Sequence, residues 1–525
     1  MIFRMRQLCI LSGFLLLLAG FQSCRHPVLE AGFEDQEQMT IYDYLVTNEE
    51  DYSGFLKILE AGHIDKTLSA YNPYGVGYTL FLPNNEAIDE FIAGSGSFSS
   101  LDELLQDTAY SSDLGRYHTV LLGINANDFP FGALPEYTLS GDLLTVNFIL
   151  EEDTAYYLIN NQAPVIHPNI ELSNGYIHVL GKMLHPINFT TYDWLNDHPD
   201  YSIFKEAVDA TGLEDVLRVN LKDETDTATA ITLLVEPDSV YNKRGIYGLE
   251  DLEAYISPGD NDYTNPLNPL NSYTAYHMIT DNLFLVDFEE RSTNYSTYSE
   301  IPLNINGLGL DILINKGKQN FDTIINPPDT VIIDYIGFNY DESNVITQSG
   351  AIHIIDQVMK PQQPSRAIQT YEFYEEPLLN EYRLEAGTYL IDDTTALYHI
   401  RWSGADLLFT EEANPEESSA WGGDYLFIDG DFKISYDIPK IVPGRYMAKL
   451  RYEGLSRGNA VVEVFIDGKP VGGLVNLATG GSTASPFYTR ELGTVDFLKY
   501  EGHTVTIRTL IPGSLSWDFV RFEPN

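Results

Sequence analysis

One segment of this chain occurs twice. Residues 169–186 read NIELSNGYIHVLGKMLHP and residues 344–361 read NVITQSGAIHIIDQVMKP, with Gly, Ile-His and Pro at identical spacing. In each copy an irregular stretch ends at a glycine (Gly175, Gly350) and a short apolar strand follows. His178 and His353 alternate with apolar neighbours there, which places them in the interior as structural residues. Two upstream signals repeat in the same order. Arg116-Tyr117-His118-Thr119-Val120 is echoed by Ala275-Tyr276-His277-Met278-Ile279, and YTLFLPNNEAIDEF from Tyr78 is echoed by ITLLVEPDSVY from Ile231. The offsets are 153 at Thr79, 159 at Tyr117 and 175 at Gly175, so the chain holds two homologous copies with insertions in the second.

These signals resemble the fasciclin-like family, marked by a Thr-x-Phe-x-Pro-x-Asn-Glu-Ala segment, a Tyr-His pair and a closing Asn-Gly-x-Ile-His segment. The first copy, residues 41–189, matches all three. The second, residues 200–361, departs in the opening segment: Glu236 stands at the proline position and Ser239-Val240 replace Glu-Ala. The resemblance implies an α+β class, a wedge of β-sheet with helices packed along it. The local pattern agrees, with helices expected over 52–61 and 101–105 and strands over 142–150 and 330–336. The resemblance also implies an adhesive role for the Tyr-His pairs, Tyr117-His118 and Tyr276-His277. The residues themselves favour a structural role, since both side chains carry apolar bodies with polar tips that close buried hydrogen-bond networks.

Of 525 residues, 77 are acidic and 30 basic, a net charge of −47. Residues 25–365 carry 53 acids against 14 bases, whereas residues 366–525 carry 24 against 14. With 12% aromatics such a chain folds, and at this length it forms about three domains. A polyanion repels phosphate backbones, so nucleic acid is excluded as a partner.

The N-terminus reads as an export segment. Arg4 and Arg6 precede an apolar stretch over residues 8–21, too short to span a bilayer as a helix. It ends at Cys24, an arrangement that resembles a lipobox of the Bacteroidetes type. The expectation is a signal peptide over 1–23, lipidation of Cys24, a tether over 24–40 and an outer-membrane lipoprotein, its membrane contact made through the lipid. The other cysteine, Cys9, lies inside the signal, so no internal disulfide is expected.

Residues 366–525 change character. Dense short apolar runs separated by Gly, Asp-Gly and Pro turns predict an antiparallel sandwich. The turns resemble the jelly-roll modules of the galactose-binding and carbohydrate-binding type, which implies glycan recognition through a loop aromatic. Trp421, in SSAWGGDY, is the first choice and Trp402 the second, with Asp424 and Arg401 as hydrogen-bonding neighbours; core packing is the default expectation for both rings, against which this exposure is proposed. The acidic runs at 429–437 and 258–265 place oxygens at alternating positions, as calcium prefers, but lack a twelve-residue loop ending in Glu. They read as solvated loops with calcium as the alternative, and no other metal or cofactor is expected. Nucleophile elbows, zinc-helix motifs and phosphate loops are missing from the sequence. The resulting expectation is a non-catalytic envelope adhesion or ligand-binding protein with an extracellular protein or glycan as partner. Two alternatives stay open: a glycan-binding accessory of a polysaccharide-uptake system, and an enzyme whose carboxylates no motif reveals.

Overall fold

The structure, a computed structural model, describes residues 39–525 apart from 73–74, 96, 152–153, 222–228, 258–260, 309–310 and 327–328. The signal segment, Cys24 and the tether up to residue 38 lie outside the described residues, as does the start of the acidic run at 258–265. The chain divides into two compact units. The first takes the described part of Met1–Asp128 with Glu136–Asp142 and Val165–Met183; the second takes Phe129–Pro135, Leu143–Pro164 and Leu184–Asn525.

In the first unit, capping residues set the helix starts. Thr40 forms a capping box with Asp43 ahead of Ile41–Thr47, and the side chains of Asn84, Ser100 and Asp107 accept from backbone N–H groups at the heads of Asn85–Gly94, Leu101–Gln106 and Thr108–Tyr117. Helix Glu49–Ala61 buries Phe55, Ile58 and Leu59. It begins three residues before the expected start because Glu49, Glu50 and Asp51 favour the positive end of the helix dipole. Strand Tyr78–Pro83 is buried throughout and pairs parallel with Gly175–Leu180 and antiparallel with Thr119–Val120. A side chain at Gly175, where φ is 150°, would place its Cβ 1.9 Å from the Tyr78 carbonyl oxygen. Only glycine admits that strand so close.

The second unit rebuilds this frame. Ile231–Val235 pairs parallel with Gly350–Ile355 and antiparallel with Met278–Ile279, and a Cβ on Gly350 would meet the Ile231 carbonyl oxygen at 2.2 Å. The polar joints repeat as well. Thr79 Oγ1 donates to the Leu122 carbonyl and accepts from Ile124 N–H, and Thr232 Oγ1 does the same with Asp281 and Leu283. His178 Nδ1 accepts from Asn169 N–H while Nε2 faces the Ile124 carbonyl; His353 repeats both contacts with Asn344 and Leu283. Burial lowers both imidazoles to about 4, so they are neutral near pH 7. The expected strands shift slightly, to Thr145–Glu151 and Asp329–Ile333. The first of these belongs with the second unit, where Asn147 Nδ2 donates to the Ser343 carbonyl and Asn344 Nδ2 donates to Asn147 Oδ1.

The last third of the chain is a β-sandwich, antiparallel in every named pairing. One sheet runs in the order Gly387–Ile391, Leu407–Glu411, Asp424–Gly430, Gly513–Pro524, Gly444–Glu453, Phe487–Phe497, with Gln369–Tyr371 also on Gly513–Pro524. The other runs Ile400–Ser403, Lys433–Ile441, Glu501–Ile511, Val461–Ile466, Lys469–Pro470, with Val475–Asn476 on Val461–Ile466. Alternating inward residues such as Tyr446, Ala448, Leu450 and Tyr452 meet Ile434, Tyr436, Val464 and Ile507 in one core. Among the described residues no helix is long and apolar enough to cross a membrane.

Candidate functional site

The Tyr-His pairs are interior. Tyr117, His118, Tyr276 and His277 are all fully buried, out of a partner's reach. His118 Nδ1 lies 2.6 Å from the Phe81 carbonyl oxygen, and the ring packs on Phe55. In the second copy the Tyr276 hydroxyl donates to the Gln362 carbonyl. His277 has Glu236 buried beside it. Glu236 Oε1 accepts from Met359 N–H at 2.8 Å and the Tyr273 hydroxyl at 3.2 Å and lies 3.0 Å from His277 Nε2; Oε2 accepts from the Tyr241 hydroxyl at 2.8 Å. His277 Nδ1 lies 2.8 Å from the Tyr273 carbonyl oxygen, so the ring bridges helix and acid. Burial drives the Tyr241 and Tyr273 hydroxyls well above their ordinary range, so both stay protonated donors.

The four expected sugar contacts separate. Trp402 is a correction: it pairs in register with Ile434 on an edge strand and points into the sandwich core. Arg401, the outward neighbour of Trp402, is ion-paired with Asp437 in the sheet that does not carry Trp421. Asp424 stands three residues after Trp421 but is buried, its Oδ2 accepting from Arg383 Nε at 2.6 Å, so it supports the turn from below and offers nothing to a ligand. Trp421 alone has the expected exposure, at 54%, whereas Trp194, Trp402 and Trp517 are at 9% or less.

The Trp421 turn is held rigidly. Gly422 and Gly423 have φ of 73° and 88°, the left-handed region glycine favours, and they reverse the chain before strand Asp424–Gly430. Trp421 N–H donates to Asp518 Oδ2 at 2.8 Å, and Arg451 Nε donates to the same oxygen at 2.8 Å. The indole stands edge-to-face with Phe519, and the Arg521 guanidinium lies 5.1 Å from its centre. The exposed Tyr374 lies on the other side of Gly422, its hydroxyl 3.7 Å from where a Cβ on that glycine would sit.

Beneath the turn lie three buried carboxyl groups: Glu372, Asp424 and Asp518. Each has one oxygen without a hydrogen-bond partner, Glu372 Oε1, Asp424 Oδ1 and Asp518 Oδ1. Burial pushes Glu372 up to about 8, with Asp424 and Asp518 adding repulsion, and pushes Asp518 up to about 7 against the pull of Trp421 N–H and Arg451. Asp424 is raised by burial and held back by Arg383. Glu372 and Asp518 were missed in the sequence. The signal was present: each is an acid flanked by aromatics, in TYEFY and SWDFV, inside a strand-like run.

Two of the acids considered for calcium have other partners. Asp431 accepts from Thr509, and Asp437 accepts from Arg401 and Thr504. Among the described residues no three His, Cys, Asp or Glu side chains stand in the geometry of a metal site.

Residues 50–186 match the family model of the Fasciclin domain. Stabilin-2 of Rattus norvegicus is 34% identical over 108 residues, 20% of this chain and 7% of that protein; Stabilin-2 of Mus musculus gives the same identity over 4% of its length. The chain therefore spans a small part of these relatives. Among solved structures, a FAS1 domain pair from the insect cell adhesion molecule Fasciclin I aligns at 15% identity over 58% of this chain and 96% of that one, with a TM-score of 0.27. A family 35 carbohydrate binding module from Clostridium thermocellum aligns at 10% identity over 27% of this chain and 100% of that one, with a TM-score of 0.20. At such scores the architecture rests on the chain's own strands and pairings. The chain carries a fasciclin domain over residues 50–186 and ends in an all-β sandwich.

Proposed function

We propose that this protein is a non-catalytic adhesion protein of a bacterial envelope that holds a glycan at the Trp421 turn of its sandwich. In this reading residues 200–361 are a second fasciclin-like domain, and Cys24 carries the lipid that fixes the chain to the outer membrane. The Tyr-His pairs, used up inside the fold, hold the fasciclin-like copies together and leave glycan binding to the sandwich.

The observation that carries the reading is the exposure of Trp421 on a turn pinned by Asp518 and Arg451. A flat ring face held open to solvent suits the apolar face of a sugar. A single ring with a few hydrogen bonds gives weak binding that many anchored copies would strengthen. The test is a glycan array followed by calorimetric titration of the full mature chain and of Trp421→Ala. Binding lost with an unchanged melt supports the reading; a parent protein that binds no glycan removes it. For the anchor, Cys24→Ala should move the protein to the soluble fraction, and unchanged membrane retention would refute that part.

A further inference from the structure

The first unit carries an open cleft of about 220 Å³ at the end where strands Tyr78–Pro83 and Gly175–Leu180 begin, bounded by Tyr71, Val76, Glu171 and Tyr176. Its walls are fixed from within. Asn72 is buried and donates through Nδ2 to the carbonyls of Gly77 at 2.7 Å and Leu121 at 3.0 Å. Asn174, also buried, donates through Nδ2 to the carbonyls of Leu68 at 2.7 Å and Ala70 at 2.9 Å. These bonds brace the backbone on both sides of Tyr71, yet the Tyr71 side chain is 69% exposed. A lone exposed tyrosine is ordinary on a protein surface, but this one is mounted on a held backbone at the rim of a cleft. Across the cleft, Glu171 stands opposite Tyr176 in the antiparallel pairing, so the two side chains leave the same face of the sheet side by side. Glu171 is exposed, and among the described residues no cationic side chain pairs with its carboxylate.

From this juxtaposition we infer that the cleft receives a lysine or arginine side chain from a basic segment of a partner protein, its cation lying between the Tyr71 and Tyr176 rings and meeting the Glu171 carboxylate. Ring faces attract a cation through their quadrupole, and a carboxylate adds a charge-assisted hydrogen bond. The volume gives room for one long side chain and not for a folded element. The surroundings favour the same partner. With 53 acids against 14 bases over residues 25–365, the field around the cleft draws a basic segment in and speeds its encounter. A free small cation shares the chemistry of the cleft but gains little from that field, which acts on every charge of a basic segment. Because the walls are braced before anything binds, little ordering cost falls on the first unit.

The experiment is fluorescence anisotropy of labelled short peptides with the full chain at physiological ionic strength, with a melting curve for every variant. The peptides carry arginine, lysine or citrulline, the neutral isostere of arginine. The arginine and lysine peptides should bind about tenfold or more tighter than the citrulline peptide, the ratio one charge-assisted contact supplies. Glu171→Gln and Tyr71→Ala should each weaken the arginine peptide about fivefold or more with the melt unchanged, whereas Tyr71→Phe keeps the ring and most of the affinity. Glu90→Gln removes the same charge from an exposed position of helix Asn85–Gly94 and should change affinity by less than about twofold. Free arginine amide should compete only at far higher concentration than the peptide. A Glu90→Gln loss equal to that of Glu171→Gln would assign the binding to diffuse surface charge and overturn the inference. A citrulline peptide bound as tightly as the arginine peptide would overturn it as well, and arginine amide competing as well as the peptide would replace the protein partner with a small cation.

Discussion

Two buried acidic centres sit in the same chain and keep their accounts differently. In the second copy, Glu236 is enclosed by donors: two tyrosine hydroxyls, the Met359 N–H and the His277 ring meet its two oxygens. In the sandwich, Glu372, Asp424 and Asp518 each keep one oxygen without a partner, and the group lies directly under an exposed tryptophan. A fully satisfied network fixes one arrangement of its surroundings; an under-satisfied one is tolerated where the fold has another use for the strain. The contrast is the ground for proposing a structural role at the Tyr-His pair and ligand binding at the Trp421 turn. It also explains a departure visible in the sequence, since the position held by Pro83 in the first copy became the organising acid of the second.

The strongest way to break this contrast is Glu236→Ala. The substitution removes the acceptor shared by the Tyr241 and Tyr273 hydroxyls, Met359 N–H and the His277 ring, and each buried donor left unpaired costs about 1–3 kcal/mol. Hydrogen exchange should accelerate across Ile231–Val235 and Pro269–Tyr276 and leave the sandwich strands protected. Uniform protection in the variant would show that the network contributes little.

Next in size is a pH effect confined to the sandwich. Glu372 and Asp518 have folded values raised to about 8 and about 7, above their ordinary 4.5 and 3.8. A raised acid contributes stability that is fully present below its unfolded value and is lost as pH rises through its folded value. The sandwich should therefore lose on the order of a few kcal/mol between about pH 4.5 and pH 8, read as falling protection of strands Asp424–Gly430 and Gly513–Pro524. Protection that rises over this range would contradict the assignment. Protection that rises with added calcium would show that a cation, and not a proton, meets the orphaned oxygens.

A smaller effect compares the two copies directly. His118→Ala removes one buried ring whose Nδ1 faces the Phe81 carbonyl and should cost about 1–3 kcal/mol. His277→Ala should cost more, because it also removes the ring that meets Glu236 Oε1 in the interior. Equal losses in exchange protection around the two sites would mean that Glu236 adds nothing to the second copy.

Much of the frame was legible in the residues. The repeated glycines mark where a strand passes too close for a Cβ, and the repeated Thr79 and Thr232 mark a joint that needs one hydroxyl to donate and accept at once. The candidate site was legible only in part. Gly422-Gly423 announced a turn that displays Trp421, because two successive left-handed residues are a local property. Trp402 could not be placed the same way, since its inward direction depends on pairing with Ile434, thirty-two residues distant. Asp424, Arg451 and Asp518 come from three separate strands of one sheet, and no spacing in the sequence encodes that meeting.

The central claim is that Trp421 is displayed for a ligand and is not needed by the core. Its ring is half-exposed, so Trp421→Ala should shift stability by less than about 1 kcal/mol, against the 3–5 kcal/mol expected of a buried tryptophan. The direct measurement is a paired calorimetric titration and melting curve of the full chain and Trp421→Ala against the glycan the parent selects from an array. Binding should disappear while the melting temperature stays where it was. Retained binding in the variant, or a sandwich that collapses without the ring, would contradict it.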